Sequence, residues 1–159
     1  MRSRDYEEFI EFLNRLEARY LVVGAHAVAF HARPRATKDL DVFIDPTREN
    51  AELILSAIRQ FLGTNLGIKP RDLATPGRIV QLGVAPTRID LMSRLSGIPD
   101  FESVWQRRVD AVFGDIPAHY ISLEDLIQNK TCAGRDQDKA DLRVLHRVGK
   151  QRSRPPRKR

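Results

Sequence analysis

The chain has a single cysteine, no long apolar run and few aromatic residues. Cys132 alone excludes an internal disulfide and a cysteine-rich zinc site within these 159 residues, and it fits a small helix residue better than a reactive thiol. No stretch approaches the roughly 20 consecutive apolar residues of a membrane span. The segment 1–5 leads into an acidic amphipathic stretch, unlike the apolar core of a signal peptide. We therefore expect a cytoplasmic protein without a membrane partner.

Acidic residues are absent from the C-terminal end. The eight basic residues from Arg143 to Arg159 exceed the whole net charge of +6, which leaves residues 1–142 at −2. Because residues 149–159 have only prolines to bury, we expect one domain over 1–148, with a single core, followed by a disordered basic tail. The tail fits binding to RNA or DNA phosphates, tRNA included, and equally a solubilising end without a partner. A plain nucleic-acid-binding protein conflicts with the nearly neutral body, and 7% aromatic residues offer no obvious stacking platform.

Apolar residues alternate between helical and strand spacing along the body. The spacing predicts helices over Asp5–Ala18, Ala25–Ala32, Arg48–Leu62, Phe101–Arg107 and Ser122–Cys132, and from Asp136 onward. It predicts strands over Tyr20–Val23, Lys38–Ile44, Arg78–Leu82, Thr87–Met92, Ala111–Phe113 and Ile116–Ile121, the last four as two hairpins. We expect Asp5 to cap the first helix, Asp45-Pro46-Thr47 to supply a cap and a first-turn proline for the third, and Gly63–Gly77 to form a loop with one short helical turn. The pattern predicts an α+β domain with a partly antiparallel sheet flanked by helices.

Two aspartates one residue apart, Asp39 and Asp41, lie in an otherwise apolar run. Because side chains alternate along a strand, both carboxylates project to one face, about 6–7 Å apart. Such a pair can hold a divalent cation against phosphates, and Asp90 is the candidate third ligand of a two-metal site. An isolated pair of this kind is also common on half-exposed strands, and a hairpin strand exposes every second residue in any case.

The order of strand, glycine turn, helix and Asp-x-Asp strand resembles the nucleotidyltransferase superfamily that includes DNA polymerase beta. The match runs through Val23-Gly24-Ala25, a 13-residue spacer and Asp39-Leu40-Asp41-Val42. The amino-acid sequence of segments 23–31 and 35–41, together with the later segment Lys130–Leu142, is similar to that of small bacterial nucleotidyltransferases related to the AbiEii-type toxins. The resemblance covers about residues 5–148. It implies the nucleotidyltransferase fold, with a mixed sheet flanked by helices.

The resemblance implies a transferase that moves a nucleoside monophosphate from a nucleoside triphosphate (NTP) to an acceptor hydroxyl and releases pyrophosphate. Two Mg²⁺ ions would stabilise the attacking and leaving oxygens. By the same resemblance Asp39 and Asp41 bridge both metals, and Asp90 binds the metal on the acceptor side and helps to activate its hydroxyl. The implied nucleotide contacts are Gly24 and Ala25 at the helix start, Arg33 or Arg35, Lys130 for the leaving pyrophosphate, and Arg135.

Several of these residues also fit a purely structural interpretation. Lys130 and Arg135 fit a solvated helix end and a structural ion pair with Asp138. His26 and His31 are five residues apart, unlike the i, i+4 pair of a zinc-binding helix, and we assign them no metal.

Ala25 departs from the superfamily pattern, which usually has serine or glycine at this position. Alanine keeps the backbone N–H but has no hydroxyl to contact the triphosphate. A second function therefore stays open, a catalytically weak or inactive nucleotidyltransferase-like partner module of a toxin–antitoxin type pair. The sequence leaves the acceptor open between RNA, protein and a small molecule, and the small acceptor-binding half fits a homodimer or a protein partner.

Overall fold

The computed structural model describes residues 2–34, 37, 39–84 and 87–157. Its helices are α1 (Arg2–Arg15), α2 (Gly24–His31), α3 (Arg48–Leu62), α4 (Pro70–Ala74), α5 (Phe101–Gln106), α6 (Leu123–Ala133) and α7 (Asp136–Arg152). Its strands are β1 (Tyr20–Val23), β2 (Asp39–Ile44), β3 (Ile79–Leu82), β4 (Arg88–Met92), β5 (Val109–Phe113) and β6 (Ile116–Tyr120). These elements confirm the predicted α+β class. Within the described ranges no helix is long and apolar enough to cross a bilayer.

A six-stranded sheet organises the fold, in the order β3-β4-β2-β1-β6-β5. β2 lies near its centre, antiparallel to β1 and parallel to β4. The pairs β3–β4 and β5–β6 are the two predicted antiparallel hairpins, and β6 joins β1 in parallel. The predicted mixed, partly antiparallel sheet is therefore confirmed, although residues 85–86 of the first hairpin turn lie outside the described residues.

The apolar half of β2 anchors this strand in the core. Leu40 and Val42, which alternate with the two aspartates, are fully buried. Phe9 and Ile10 of α1 are also fully buried, and the Phe9 ring lies 5.4 Å from that of Phe61 in α3. Burial of each such side chain contributes about 1.5–3 kcal/mol. The aspartates are left on the opposite face of a strand that its neighbours hold rigidly.

The N-terminal caps of α1 and α3 differ from the predictions. α1 begins at Arg2, so Asp5 lies inside its first turn and does not cap it. Thr47 alone caps α3, because its hydroxyl accepts from the backbone N–H of Asn50 at 3.3 Å. Asp45 accepts from Arg19 at 3.1 Å instead, and the proline between Asp45 and Thr47 precedes the cap.

The C-terminal helix is longer than predicted. α7 continues to Arg152, so residues 149–152 of the segment expected to be disordered are helical. The Ser153 hydroxyl donates to the carbonyl of Gly149 at 2.8 Å and satisfies one of the free carbonyls at the helix end. Basic residues in the last turn interact favourably with the helix dipole.

Both histidines of α2 make structural contacts. His31 is buried, and its Nε2 donates to the carbonyl of Ile121 at 2.7 Å. His26 Nε2 lies 2.7 Å from Thr37 Oγ1, and the His26 ring meets Tyr6 edge-on at 5.7 Å between centroids. Burial lowers the pKa of His31 and lowers that of His26 to about 4. Both rings are therefore neutral near pH 7.

We expect His26 to make the protein less stable in mild acid. Its pKa is about 4 in the folded chain and about 6.5 in the unfolded chain, so between these values the unfolded state binds a proton that the folded state does not. The free energy of unfolding should fall by about 3 kcal/mol from this residue as the pH drops from about 7 to about 4. Urea denaturation across that range should show a shallower fall for His26→Gln.

His146, which is exposed on α7, provides the matched control. His146→Gln should keep the wild-type pH dependence. An unchanged pH dependence in His26→Gln would contradict the prediction.

Candidate active site

The parallel pairing of β2 with β4 brings the three candidate carboxylates together. Asp41 is the register partner of Asp90, and Asp39 is that of Arg88. Register partners project to the same face of a sheet, so the three carboxylates and Arg88 form one row. Asp90 is only 8% exposed, and the other two aspartates are partly exposed. We call these three side chains the carboxylate row.

Gly24 ends β1 and begins α2 directly beside the carboxylate row. Val23, the residue before it, is the register partner of Asp41. Gly24 has a φ of +63°, and a Cβ there would lie 3.0 Å from the Cβ and Cγ of Asp41 and closer still to Oδ2. Glycine is therefore required both by the backbone conformation and by the space that Asp41 fills.

The start of α2 offers backbone donors at the same place. Val23 makes no side-chain cap, so the first N–H groups of the helix receive no hydrogen bond from it. These groups lie at the positive end of the helix dipole, where phosphate oxygens bind readily. Ala25, the second residue of α2, lines the same cleft as the carboxylate row and contributes a backbone N–H without a side-chain hydroxyl.

Arg88 lies within the carboxylate row and was missed by the sequence reasoning. Its Nη2 donates to Asp39 Oδ2 at 3.1 Å, and its Nε lies 3.2 Å from Asp90 Oδ1 without a well-directed hydrogen bond. Asp41, by contrast, has no hydrogen-bond or ion-pair partner among the residues that the structure describes. The sequence contains one indication of the Arg88–Asp90 contact: Arg88 lies two residues before Asp90, so both side chains project to the same face of the strand.

Crowding in the row raises the pKa of two carboxyl groups. Burial is the largest cause and, together with the negative charges of Asp90 and Asp39, raises the pKa of Asp41 to about 6. Burial also raises the pKa of Asp90, and the Arg88 guanidinium offsets part of that rise. Because like charges repel strongly where the dielectric constant is low, the row favours the approach of a cation.

One cleft of about 890 Å³ contains the row, within the range of roughly 300–1,000 Å³ that is typical of small-molecule sites. Its walls include nearly all the residues that the sequence nominates: Gly24, Ala25, Asp39, Asp41, Asp90, Lys130 and Arg135. Arg35 lies outside the described residues, and its alternative Arg33 is exposed and does not line the cleft. The residues that the carboxylate spacing and the family resemblance nominate therefore lie around one cleft, apart from the arginine before the Asp-x-Asp strand.

Lys130 and Arg135 form ion pairs with α7 at the cleft wall. Lys130 Nζ lies 3.0 Å from Asp138 Oδ1 and 3.1 Å from Asp141 Oδ2, with all three side chains at most 6% exposed. Arg135 Nε donates to Asp138 Oδ2 at 2.8 Å. Burial alone would raise the pKa of Asp138, but the hydrogen bonds from Arg135 and Lys130 outweigh it and hold the pKa at about 2. The structural ion-pair interpretation of both residues is therefore observed, and the charge of Lys130 is already compensated.

Arg94 supplies a second cation that sequence reasoning missed. It follows β4, lines the cleft, is exposed, and forms no ion pair among the described residues. The same loop is tied to α6, because Asn129 Nδ2 donates to the carbonyl of Ser96 at 3.0 Å. Arg94 is thus better placed than Lys130 to neutralise a bound phosphate. No motif marks it in the sequence, since it lies in an irregular loop.

The donor set of the row suits Mg²⁺, which prefers carboxylate oxygens. Asp41 is unpaired among the described residues, and Asp90 Oδ1 has no well-directed hydrogen bond. No three acidic, histidine or cysteine side chains in the described ranges have ligand geometry as they stand. In this arrangement Arg88 contacts both Asp39 and Asp90 through its guanidinium.

Comparison with known proteins points to one family. The sequence profile of a family described as nucleotidyltransferase of unknown function (DUF6036) matches residues 4–148. The crystal structure of an antigenic nucleotidyltransferase-like protein from Paracoccidioides brasiliensis is similar, with a TM-score of 0.53 and 14% identity over 92% of this chain and 74% of that one. At that identity the likeness shows the fold alone, which is the predicted one. No curated protein matches the chain in sequence.

Replacing Arg88 should strengthen cation binding. Arg88→Met removes one positive charge from beside Asp39 and Asp90, so we expect Mn²⁺ to bind about tenfold more tightly. Titration of Mn²⁺ followed by electron paramagnetic resonance measures the affinity without any nucleotide. Arg88→Lys keeps the charge and should bind Mn²⁺ about as the wild type does. Weaker binding by Arg88→Met would mean that the arginine orients the carboxylates for the metal and does not compete with it.

Replacing Lys130 should destabilise the fold strongly. Lys130→Met leaves Asp138 and Asp141 as buried, under-compensated charges, which costs about 3–5 kcal/mol at pH 7. Loss of this hydrogen bond raises the pKa of Asp138 from about 2, so the folded variant binds a proton more readily and the deficit should narrow toward pH 4. Urea unfolding at both pH values tests this. Lys139→Met, at a 68% exposed side chain, should cost under about 0.5 kcal/mol, and an equal cost in both variants would contradict the prediction.

Proposed function

The chain belongs to this nucleotidyltransferase family of unknown function, and we propose that it transfers a nucleoside monophosphate from an NTP to an acceptor hydroxyl. In this reaction the acceptor oxygen forms a bond to the α-phosphorus while the bond from that phosphorus to the bridging oxygen of the β-phosphate breaks. Pyrophosphate leaves with the electron pair, and the hydroxyl proton passes to solvent or to a nearby base. We place the reaction in the cytoplasm.

One observation carries the proposal, the carboxylate row set against the uncapped start of α2. Asp41 and Asp90 are register partners, and the Asp41 side chain occupies the space that a Cβ at position 24 would need. Backbone N–H groups that can bind phosphate oxygens and a carboxylate row that can bind a cation therefore lie side by side, as the transfer of a charged phosphate requires. Other phosphoryl-transfer reactions have the same requirement, and the family match favours nucleotide transfer among them.

Asp39, Asp41 and Asp90 would hold the Mg²⁺ ions. Bound there, Mg²⁺ would offset the charge that builds on the transferred phosphate and make the acceptor hydroxyl more acidic. The backbone N–H groups of Gly24 and Ala25 would bind phosphate oxygens, and Arg94, which lines the same cleft, would neutralise the triphosphate. The missing hydroxyl at position 25 removes one contact and leaves these backbone donors intact.

Transfer of label tests the proposal directly. The purified chain is incubated with Mg²⁺ and each α-³²P-labelled NTP, together with total RNA, a protein extract or a small-molecule extract. We expect label in one pool, and a loss of about a hundredfold or more in Asp41→Asn, because transition-state charge is then poorly compensated. Asp115→Asn, at an exposed hairpin turn, removes a carboxylate elsewhere and should keep full activity.

Two results would overturn the proposal. One is the absence of label in every pool with all four NTPs, in Mg²⁺ and in Mn²⁺. The other is a rate in Asp41→Asn equal to that of the wild type, with circular dichroism confirming that both are folded.

A catalytically weak or inactive partner module of a toxin–antitoxin type pair is the second candidate. Two features favour it: Ala25 lacks the hydroxyl that the superfamily usually has, and Arg88 pairs with two of the three carboxylates. If this function is correct, Asp41→Asn should keep the biological effect of the wild type, although the substitution removes one negative charge from the carboxylate row. Growth rescue or inhibition by the wild type and by Asp41→Asn, compared in cells, separates the two candidates.

A further inference from the structure

The solvent-facing side of α7 carries only one kind of charge over most of its length. Its buried side holds Asp138, Asp141 and Leu145. The exposed basic residues recur every three or four positions, so they follow one another along the opposite side of the helix. We call Lys139, Arg143, Arg147 and Lys150, together with Arg154 two residues beyond the end of α7, the basic ridge.

The other long helices do not have such a surface. On α1 the exposed side pairs Glu11 with Arg15 at 2.9 Å, and on α3 Arg48 lies 3.5 Å from Glu52. Mixed pairs at this spacing stabilise a helix, whereas like charges at the same spacing destabilise it. Asp136, in the first turn of α7, lies 3.9 Å from Lys139. A helix surface that contacts only solvent gains no stability from like charges that repel one another at this spacing.

The helix dipole explains only part of the ridge. Cations are favourable within the last turn of a helix, which covers Lys150 and Arg152. Lys139, Arg143 and Arg147 lie one to three turns further back, where the dipole effect has faded. Their common sign therefore needs a partner that is itself negatively charged over many ångströms.

The helix that carries the ridge starts at the active-site cleft. Arg135, which precedes α7, and Gln137 in its first turn both line the cleft. From there the 17 residues of α7 extend about 25 Å. The Lys130 contacts with Asp138 and Asp141 hold the first turns of α7 against α6, so the end of the helix nearest the cleft is anchored.

We propose that the basic ridge of α7 binds the phosphate backbone of an RNA strand and leads it to the cleft as the acceptor. The acceptor assignment rests on the proposed nucleotide transfer, which needs a hydroxyl, and RNA carries one on every ribose as well as at its 3′ end. A repeating anion fits a repeating row of cations, and binding releases the counterions of the strand. The ridge has no large apolar side chain between its cations to enter a lipid surface.

Salt dependence of RNA binding tests the ridge without nucleotide or Mg²⁺. Fluorescence anisotropy of a labelled single-stranded RNA of about 20 nucleotides is followed from about 50 to about 300 mM NaCl. The triple variant R143Q/R147Q/K150Q removes three phosphate contacts, so the slope of log K against log salt should fall in magnitude by about 2. R48Q/R59Q/R71Q loses the same net charge at exposed arginines of α3 and α4 and should keep the wild-type slope.

The outcomes are unambiguous. A smaller slope in the ridge variant alone supports the proposal. Equal losses in both variants, an unchanged ridge variant, or a wild type without salt-dependent RNA binding would overturn it, as would ridge-dependent binding to phosphatidylglycerol vesicles but not to RNA. Because neither nucleotide nor metal is present, a failure of nucleotide transfer leaves this measurement intact. If transfer to RNA does occur, the ridge variant should raise KM for RNA and leave kcat unchanged.

Discussion

Repulsion between three neighbouring carboxylates is the constraint on which the site depends. The parallel pairing of β2 with β4 places Asp41 opposite Asp90 and leaves Asp39 one step along the same face. Such crowding is costly unless positive charge lies close by. The chain meets it with Arg88 inside the row and with the positive end of α2 beside it. Arg88 contacts only Asp39 and Asp90, so a cation that bound all three carboxylates would compete with it for those two.

A second charge cluster fixes the wall of the same cleft. Lys130, Asp138 and Asp141 join α6 to α7 in a nearly water-free contact, with Arg135 closing one side. Breaking such a cluster is far more costly than never having formed it, because the remaining groups stay buried and charged. The two clusters therefore differ in kind. The Asp41 side chain of the carboxylate row has no ion-pair partner among the described residues, whereas every charge of the α6–α7 cluster has an opposite charge within 3.1 Å.

The sequence predicts the scaffold of this site better than its internal contacts. Strand β1 and helix α3 have the predicted bounds, because their apolar periodicity is strong and Gly24 and Gly63 end the pattern sharply. Spacing also predicts that the Asp-x-Asp strand and Asp90 meet. Arg88 was missed because its bridge depends on the β2–β4 register, which one strand alone does not specify. The length of α7 was underestimated, since a polar segment can remain helical when its first turns are anchored.

The residue types at positions 24 and 41 depend on each other. Residue 24 has a left-handed backbone and lies against the carboxylate, so a side chain there would have to occupy the volume of Asp41. A descendant of this chain that shortened residue 41 would free that volume, and only the backbone conformation would still favour glycine. In a relative of this chain, a residue other than glycine at position 24 would therefore indicate that the carboxylate at position 41 has been lost.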